Sequence, residues 1–546
     1  MILDFTNLSA DHTRRLNEIA KELKKEYAIF VDDCCRKYGN NELFWATPFV
    51  SRNIFNDGTF LSLCRIMLAK ELIIEGGITK IVATDHSEAE VLSLTRYGGV
   101  RVESRERRQI IKIFKKTIDR YRGLLSLLIR HIYLKSYGKK KLAYPEEISL
   151  VITPIISSGF DGYVYYDRYT TGIESIAKVF FWPCITNNKR VPNWALFDMI
   201  NNCSSHSFLC DSELLSLWDV KELFRYWRFC KQAKRQSFYF DNMDVSALVR
   251  KSLEIGKYNS PSLEGLLAGK MLERMRRKGI EVKNFIIWYE GRPFDVYVSS
   301  LIRRLFPKSN CVGYQGFPLV NEMLSLYVSE YQYNSGHAPE RMAIPSRMYE
   351  KNAKQFCSGL STLVVPIFRN NYCLREKSCH TDTKKTILLL LPFFQEAAHV
   401  ILQGMNFYLN KNGQKYRILI KNHPVRDGQT AKDYGFDFLS FDPEYITGQL
   451  EDYLDEVDIV ITSYSTSGLE VIFAGIPLIV YCPRGQLNYT VLPENLVNDY
   501  CRIVYSENEL ESVLEDVIHS WNPDYSPLKD AMPEKNQHNM QLLFQT

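Results

Sequence analysis

Short, continuous runs of apolar residues alternate along this chain with longer segments whose apolar residues recur at helical spacing. Continuous Val, Ile and Leu runs are typical of parallel strands covered on both faces, and strands separated by helices predict βαβ units. The runs predict strands over residues 42–50, 78–85, 148–156, 162–167, 284–290, 311–316, 362–368, 386–394, 416–424, 457–465, 476–482 and 501–506. The pattern therefore predicts an α/β protein built on doubly wound parallel sheets.

One change of composition divides the chain. The sequence NNYCLREKSCHTDTKK (370–385) is polar and precedes the very apolar TILLLLPFF (386–394), so we interpret it as an interdomain linker. This predicts two Rossmann-like domains, at residues 1–375 and 376–546, with a cleft between them. Ligands of such sheets bind outside the carboxyl ends of the strands, so the residues directly after each strand are the candidates for chemistry.

A basic amphipathic segment interrupts the first of these domains. Residues 101–142 contain fourteen Lys or Arg and three acidic residues, a local charge of +11 in a chain whose net charge is +5. Apolar residues recur at helical spacing within it, and basic residues lie off that stripe. The region 105–135 therefore predicts contact with an anionic membrane surface, and the alternative is packing of the stripe on its own domain. Nucleic acid binding is not expected, because no aromatic–basic module accompanies the charge.

The overall composition is that of a folded globular protein, with 45% apolar and 24% charged residues in a chain of 546. Its thirteen cysteines contain no Cys-x-x-Cys spacing, which argues against a disulfide framework and a zinc site and favours reduced thiols in a cytoplasm. The N-terminus lacks a basic region followed by an apolar core, so no signal peptide is expected. No stretch reaches the roughly 18 apolar residues of a membrane-spanning helix.

Hydroxyl side chains cluster at the end of the predicted strand 457–465. Five of them and a glycine lie within seven residues: Thr462, Ser463, Ser465, Thr466, Ser467 and Gly468. The sequence LEVIFAG that follows has the pattern of a helix. Hydroxyls and backbone N–H groups at the start of a helix bind anions, whereas a simple helix cap needs only one hydroxyl. The cluster therefore predicts a phosphate site.

A His-Pro pair ends the preceding long strand of the same domain. His423 and Pro424 follow the apolar run YRILI, so His423 is expected at the same edge of the sheet as the hydroxyl cluster. Histidine can donate a hydrogen bond to phosphate and can carry a positive charge. Pro424 would fix the turn that positions the histidine. The alternative is an ordinary turn with no ligand.

An acidic residue and a glycine end the strand predicted at 284–290 in the first domain. Glu290 is a candidate general base, because a carboxylate at a strand end would face the cleft. Gly291 would let backbone or substrate approach closely. Arg292 and Asp295 are close enough in sequence to pair. The alternative is that Glu290 only caps the next helix or binds Arg292.

These motifs together resemble a known family. WYEGRPFD, GYQG, KNHP and TSYSTSGLEVIFAGIPLIVY are similar to bacterial surface carbohydrate biosynthesis proteins, which are glycosyltransferases of GT-B fold. They also resemble transferases of CMP-activated sugars of the Kdo and sialic acid type. The resemblance covers residues 284–485 well, and the first 280 residues only loosely, through SRNIFNDGTFLSLC (51–64) and YYDRYTTGI (165–173).

The resemblance implies a role for each motif. Glu290 would be the base on the acceptor hydroxyl, and His423 would assist departure of CMP. The N-terminal domain would bind the acceptor glycan, with Gly291 near the substrate. The carboxylate of an acidic sugar and an anionic acceptor would suit a basic cleft, and Arg292, Lys421 and Arg426 are near the right places for it. The residues implied in donor binding are His423, Pro424, Ser465, Thr466, Ser467, Gly468 and, at the ribose, Glu470.

Two further features bear on the chemistry. No predicted strand ends in the Asp-x-Asp that holds a metal ion in the GT-A transferases, so we expect no metal and no cofactor. His-Pro with a Ser/Thr pair is also shared in outline with the teichoic-acid enzymes that use CDP-alcohols. A CDP-alcohol phosphotransferase and a non-catalytic membrane scaffold therefore stay as alternatives. A lipid-linked acceptor would place the protein at the inner face of the cytoplasmic membrane.

Charge reversal in the basic segment tests the membrane interpretation. Replacing Lys112, Lys115 and Lys116 by Glu should weaken binding to anionic vesicles, because the cationic face that attracts the lipid headgroups is lost. Vesicle co-sedimentation measures the effect. Unchanged co-sedimentation of the variant would contradict an amphipathic helix on the membrane surface.

Overall fold

The computed structural model describes residues 1–38, 41–95, 99–105, 145–155, 179–185, 207–209, 214–367, 385–437, 439–521, 523–529, 531–534 and 536–545. Four expectations fall on other parts of the chain. The predicted strand at 162–167, nearly all of the basic segment and nearly all of the predicted linker lie outside the described residues, as does the motif YYDRYTTGI.

Eighteen strands lie within the described residues. They are β1 Ile2–Asp4, β2 Lys80–Ala83, β3 Arg101–Ser104, β4 Glu147–Ile155, β5 Val179–Ile185, β6 Ser207–Phe208, β7 Tyr239–Phe240, β8 Met243–Asp244, β9 Glu281–Trp288, β10 Asn310–Tyr314, β11 Arg341–Ile344, β12 Ser361–Val364, β13 Thr386–Leu390, β14 Arg417–Lys421, β15 Glu444–Ile446, β16 Ile459–Thr462, β17 Leu478–Tyr481 and β18 Cys501–Val504. All of the predicted strands within the described ranges are confirmed except the one at 42–50.

The same described ranges contain sixteen α-helices. They are α1 Ala10–Tyr38, α2 Glu42–Trp45, α3 Pro48–Ser51, α4 Thr59–Glu75, α5 His86–Leu94, α6 Lys221–Ala233, α7 Ser246–Gly256, α8 Ser260–Arg277, α9 Pro293–Leu305, α10 Glu330–Asn334, α11 Glu350–Ala353, α12 Gln395–Asn412, α13 Gly468–Phe473, α14 Val497–Tyr500, α15 Glu507–His519 and α16 Gln537–Gln541.

The C-terminal sheet is a six-stranded parallel sheet in the order β15-β14-β13-β16-β17-β18. Its central strands are fully buried, as the continuous apolar runs predict. Strands β13, β14 and β15 follow one another in one direction across the sheet. Strand β16 then lies on the other side of β13, and β17 and β18 continue in that opposite direction. The strand order therefore reverses between β13 and β16, which is the crevice where doubly wound sheets bind ligands.

The N-terminal sheet repeats this topology with seven parallel strands in the order β12-β11-β10-β9-β4-β5-β6. Here the strand order reverses between β4 and β9, which pair in parallel. The carboxyl end of β9 leads directly to Glu290 and Gly291. The predicted fold class is confirmed: the chain is α/β, with the two Rossmann-like units expected of the GT-B fold.

A third, smaller parallel sheet near the N-terminus was not predicted. It has the order β1-β2-β3 and is formed by residues 2–104. The long helix α1 packs against α4 beside it. Only its central strand β2 corresponds to a predicted strand, at 78–85, because β1 and β3 are three and four residues long and show no clear apolar run in the sequence.

The predicted strand at 42–50 is wrong, because this segment forms the short helices α2 and α3. Asn41 caps the first helix, with its side chain accepting a hydrogen bond from the N–H of Leu43. Pro48 occupies the first turn of the second helix, where its missing N–H has no cost. Short apolar runs fit a buried helix as well as a strand, and here the capping residues decide.

Hydrogen bonds tie the N-terminal helix to the C-terminal unit. The Asn17 amide donates to the carbonyl of Gln486 over 3.1 Å and accepts from the N–H of Asn488. Thr13 accepts a 3.0 Å bond from the N–H of Gly485. The loop after β17 is therefore held on α1, so this part of the C-terminal unit packs against the N-terminal one.

No helix among the described residues has the length and apolarity to cross a membrane. The eight cysteines within those residues are buried free thiols. Burial raises the pKa of Cys34 and Cys230 to about 12, so both thiols are protonated at neutral pH.

Candidate functional site

The hydroxyl cluster follows β16 at the switch point of the C-terminal sheet. The Thr462 hydroxyl donates a 2.8 Å bond to the Leu390 carbonyl on neighbouring β13, so it has a structural role. The Ser463 hydroxyl is buried and has no hydrogen-bond partner among the described residues. An unpaired buried hydroxyl is costly, and a ligand at the crevice would relieve that cost.

The loop then folds tightly on itself before the helix. The N–H of Ser467 donates to the Ser465 hydroxyl at 3.3 Å, and the N–H of Gly468 donates to the Ser465 carbonyl at 3.2 Å. The predicted helix begins at Gly468 but has only six residues. A helix this short has a small macrodipole, so hydroxyls and backbone N–H groups would supply most of the affinity for phosphate.

His423 lies two residues beyond the end of β14. The preceding Asn422 is buried and fixed by its bonds to the Gln429 carbonyl and the Tyr434 hydroxyl, both 2.8 Å long. The His423 ring is half-buried and stands edge-on to Phe393, with ring centroids 5.5 Å apart at 74°. The turn predicted at Pro424 is present as a short 3-10 helix.

His423 and the loop Ser465–Ser467, here called the hydroxyl loop, lie at the same edge of the sheet, as the sequence predicts. They follow strands that flank β13 on its two sides, so the segment after β13 lies between them. That segment contains Phe393 and Phe394, and Phe394 contacts Tyr464 with centroids 6.0 Å apart. The two motifs therefore border one aromatic-lined crevice from opposite sides.

Two other predicted residues of this unit are buried beside each other. Lys421 donates a 2.6 Å bond to the Gly448 carbonyl, and burial lowers its pKa although neighbouring acids oppose that shift. Glu470, on the first turn of α13, is one of those acids. Lys421 thus has a protein partner already, and its contact with the sugar stays a prediction, as does the ribose contact of Glu470.

Glu290 stands at the switch point of the N-terminal sheet. Its Oε1 accepts a 2.9 Å bond from the Trp288 indole N–H, and its Oε2 lies 3.8 Å from Nε of Arg292. The side chain keeps 39% of its surface exposed. The indole bond fixes the orientation of the carboxylate while solvent and substrate can still reach it, which suits a general base.

Arg292 is bound to Asp295. The guanidinium donates two bonds to the buried Asp295 carboxylate, at 3.0 and 3.2 Å, and the N–H groups of Glu290 and Arg292 also donate to it. Asp295 therefore holds the turn that carries Glu290. The local pairing foreseen in the sequence is present, and a contact between Arg292 and substrate stays a prediction.

Gly291 is required by the backbone. Its φ is +64°, and a Cβ placed on it would lie 1.9 Å from the carbonyl oxygen of Ser325. The Ser325 hydroxyl in turn donates a 2.8 Å bond to the Glu290 carbonyl. The predicted close approach at Gly291 is real, and the group that approaches is protein backbone.

A cavity of about 460 Å³ lies between the units, next to these strand ends. It is lined by residues of α1, of the segment 52–61, of the turn at 322–324, and of the segments that follow β13, β16 and β17. Glu290 is not among its described lining residues. Sequence reasoning missed the charged residues Arg52, Asp57 and Glu322 here, because Arg52 and Asp57 follow helix α3 and Glu322 lies well beyond the end of β10.

Comparison with known proteins adds little to this geometry. No protein-family model matches the sequence, and no curated protein matches it. Among solved structures, the chain is similar to Arabidopsis thaliana UGT89C1 complexed with UDP (12% identity, 73% of this chain and 98% of that one, TM-score 0.40), to TarM (9%, 73% and 99%, 0.40) and to S. aureus MnaA with UDP (9%, 73% and 94%, 0.38). Likeness at this level carries no argument about function.

Replacing Gly291 by Ala tests how the candidate base is held. The Cβ would meet the Ser325 carbonyl in addition to the strain of a positive φ, so we expect a loss of stability. Gly279→Ala is the matched control, because Gly279 has φ +75° and nothing within 4 Å of its Cβ position. The free energy of unfolding, measured with denaturant, should fall by about 1–2 kcal/mol in the control and by a further ~1–3 kcal/mol in Gly291→Ala. Equal losses in the two variants would contradict the close approach.

Proposed function

We propose that the chain is an inverting GT-B glycosyltransferase that uses a CMP-activated acidic sugar, Kdo or a nonulosonic acid, in surface polysaccharide or lipopolysaccharide synthesis. One observation carries the proposal. Each of the two Rossmann-like units has chemistry-bearing residues at its switch point: Glu290 in the first, and Ser465–Ser467 with His423 nearby in the second. The resemblance described above supplies the donor class.

The cavity supports this assignment because it adjoins both switch points. Leu324 and Tyr464 both line it. Leu324 precedes Ser325, which binds the Glu290 carbonyl, and Tyr464 precedes the hydroxyl loop. A ligand that filled the cavity would therefore lie beside the turn that binds the Glu290 backbone and beside the residue that precedes the hydroxyl loop.

The reaction follows from these positions. Glu290 would take the proton of the acceptor hydroxyl as its oxygen attacks the anomeric carbon of the donor sugar. The bond from that carbon to the phosphate oxygen breaks on the opposite face, and CMP leaves with the bonding electrons. His423, Ser465, Thr466 and Ser467 would stabilise the charge that develops on the phosphate. The configuration at the anomeric carbon inverts.

The remaining assignments complete the proposal. The acceptor would be a glycan or a lipid-linked glycan, which would bring the protein to the inner face of the cytoplasmic membrane. The transfer would need no metal ion, since hydroxyls, backbone N–H groups and His423 would compensate the phosphate charge. Product analysis separates this function from a CDP-alcohol phosphotransferase, which would form a phosphodiester instead of a glycosidic bond.

Thermal unfolding with nucleotides tests the donor class. CMP at a hundred times its dissociation constant should stabilise the native state by roughly 2.7 kcal/mol, without metal, and UDP, GDP and ADP should stabilise it less. The double variant Ser465→Ala, Thr466→Ala should lose the shift with CMP. A shift with UDP or GDP in place of CMP would discard the donor class. No shift with any of the four would favour the scaffold alternative.

Replacement of Glu290 by Gln tests the base. The amide can still accept the Trp288 bond but cannot take a proton, so transfer should fall about 10²- to 10⁴-fold while CMP binding is unchanged. Glu340→Gln is the control, because Glu340 is an exposed carboxylate of the same unit. Full activity of Glu290→Gln in a transfer assay would show that another group accepts the proton.

A further inference from the structure

The cavity described above contains charged and hydroxyl groups that the proposed mechanism does not use. Six of its lining residues matter here: Tyr27, Arg52, Asp57, Glu322, Tyr464 and Tyr489. Its volume of about 460 Å³ is within the usual range of small-molecule sites, roughly 300–1,000 Å³.

Arg52 provides unpaired hydrogen-bond donors. The residue is 5% exposed, and its Nη2 donates to the Tyr327 carbonyl and to Gln332 Oε1, both over 3.0 Å. Its Nε and Nη1 are buried and have no acceptor among the described residues. The positive charge of Arg52 acts to lower the pKa of Asp32, but that carboxylate is already hydrogen-bonded to Ser329. A buried guanidinium with unpaired N–H groups favours a carboxylate ligand.

The backbone at this place is strained. Four non-glycine residues have positive φ among the described residues, and Asp241 and Asn242 form the hairpin turn between β7 and β8. The other two are Arg52, at +53°, and Glu322, at +59°, and both line the cavity. Positive φ at a non-glycine residue is a strained backbone conformation, and such strain concentrates at functional sites.

Two buried carboxyl groups supply acceptors. Burial raises the pKa of the Asp57 carboxyl. Burial also raises the pKa of Glu322 to about 7, although the positive charge of nearby Lys24 acts to lower it. Glu322 Oε1 accepts no hydrogen bond from a described residue, and Nζ of Lys24 is 3.8 Å away. A carboxyl group that is partly neutral near pH 7, as that of Glu322 is, repels an anionic ligand little and can bond its hydroxyls.

Tyrosine hydroxyls and aromatic faces complete the lining. The hydroxyls of Tyr27 and Tyr464 are buried and have no partner among the described residues. The Tyr27 ring contacts Phe60, and the Tyr464 ring contacts Tyr489, with centroids 5.0 Å apart in each pair. Aromatic faces with hydroxyl groups beside them suit a sugar ring, whose C–H groups pack on the face while its hydroxyls form hydrogen bonds.

We propose that this cavity binds a carboxylate-bearing sugar of monosaccharide size, with Arg52 holding the carboxylate and Tyr27, Glu322 and Tyr464 bonding the hydroxyls. Because Tyr464 directly precedes the hydroxyl loop, the bound sugar is the sugar moiety of the donor. This last assignment rests on the proposed function, whereas the recognition of a sugar acid by the cavity does not.

Titration calorimetry with free sugar acids tests the proposal. The probes are Kdo and N-acetylneuraminic acid, with the methyl ester of the latter as the uncharged counterpart. The full-length protein should bind the acids at least about tenfold more tightly than the ester, because the ester cannot pair with the guanidinium. Equal affinity for acid and ester would overturn the role of Arg52.

Tyrosine variants keep the test independent of folding. Tyr27→Phe and Tyr464→Phe each remove a hydroxyl that has no partner in the described part of the chain, so the melting temperature without ligand should not fall. Each should weaken binding of the acid about three- to tenfold. Tyr525→Phe is the matched control, since its hydroxyl is also buried and unpaired but does not line the cavity. Wild-type affinity in both cavity variants would overturn the proposal.

A parallel titration with CMP separates this inference from the proposed function. CMP binding without binding of either sugar acid would overturn the cavity assignment and leave the CMP-dependent transferase standing. Binding of the acids, weakened in Tyr27→Phe, without CMP binding would support the cavity and overturn the donor class.

Discussion

The handedness of parallel strand connections is the constraint on which this structure depends. Because each crossover is right-handed, strands added in opposite directions have their connections on opposite faces, so a parallel sheet covered on both faces grows outward in two directions from its middle. Both large sheets do this, at β4 and β9 and at β13 and β16. Each change of direction leaves a crevice at the carboxyl edge, and the candidate residues of both units lie at those two points.

One ligand can contact both crevices only if the two units are held together. Hydrogen bonds between polar groups of the two units provide part of that contact. The Asn17 amide bridges α1 to the loop after β17, and Asn321 donates to Thr490 and to the Leu492 carbonyl of the same loop. Each bond satisfies a buried group, so separating the units would leave several polar atoms unpaired in an apolar surface. The cavity is enclosed by this same loop, so its shape depends on these amides.

The sequence predicts what depends on continuous apolar runs and on strand ends. The ten confirmed strands, the two sheets and the placement of Glu290, His423 and Ser465 all follow from those two patterns. Short elements were not foreseen, because three-residue strands such as β1 and the helices at 42–51 are decided by caps and by neighbours distant in sequence. The cavity residues were missed for a related reason. Arg52 and Glu322 are far apart in the sequence and line the same cavity only in the folded chain. The sequence also does not show which non-glycine residues will have a positive φ.

The contact of Gly291 with Ser325 has a mechanical consequence. The elbow after β9 and the turn at 324–326 touch without space for a methyl group and are joined by the Ser325 bond to the Glu290 carbonyl. Leu324 of that turn forms part of the cavity wall. The backbone that carries the carboxylate is therefore coupled to this wall. A displacement of Leu324 would be passed on to the residue proposed as the base.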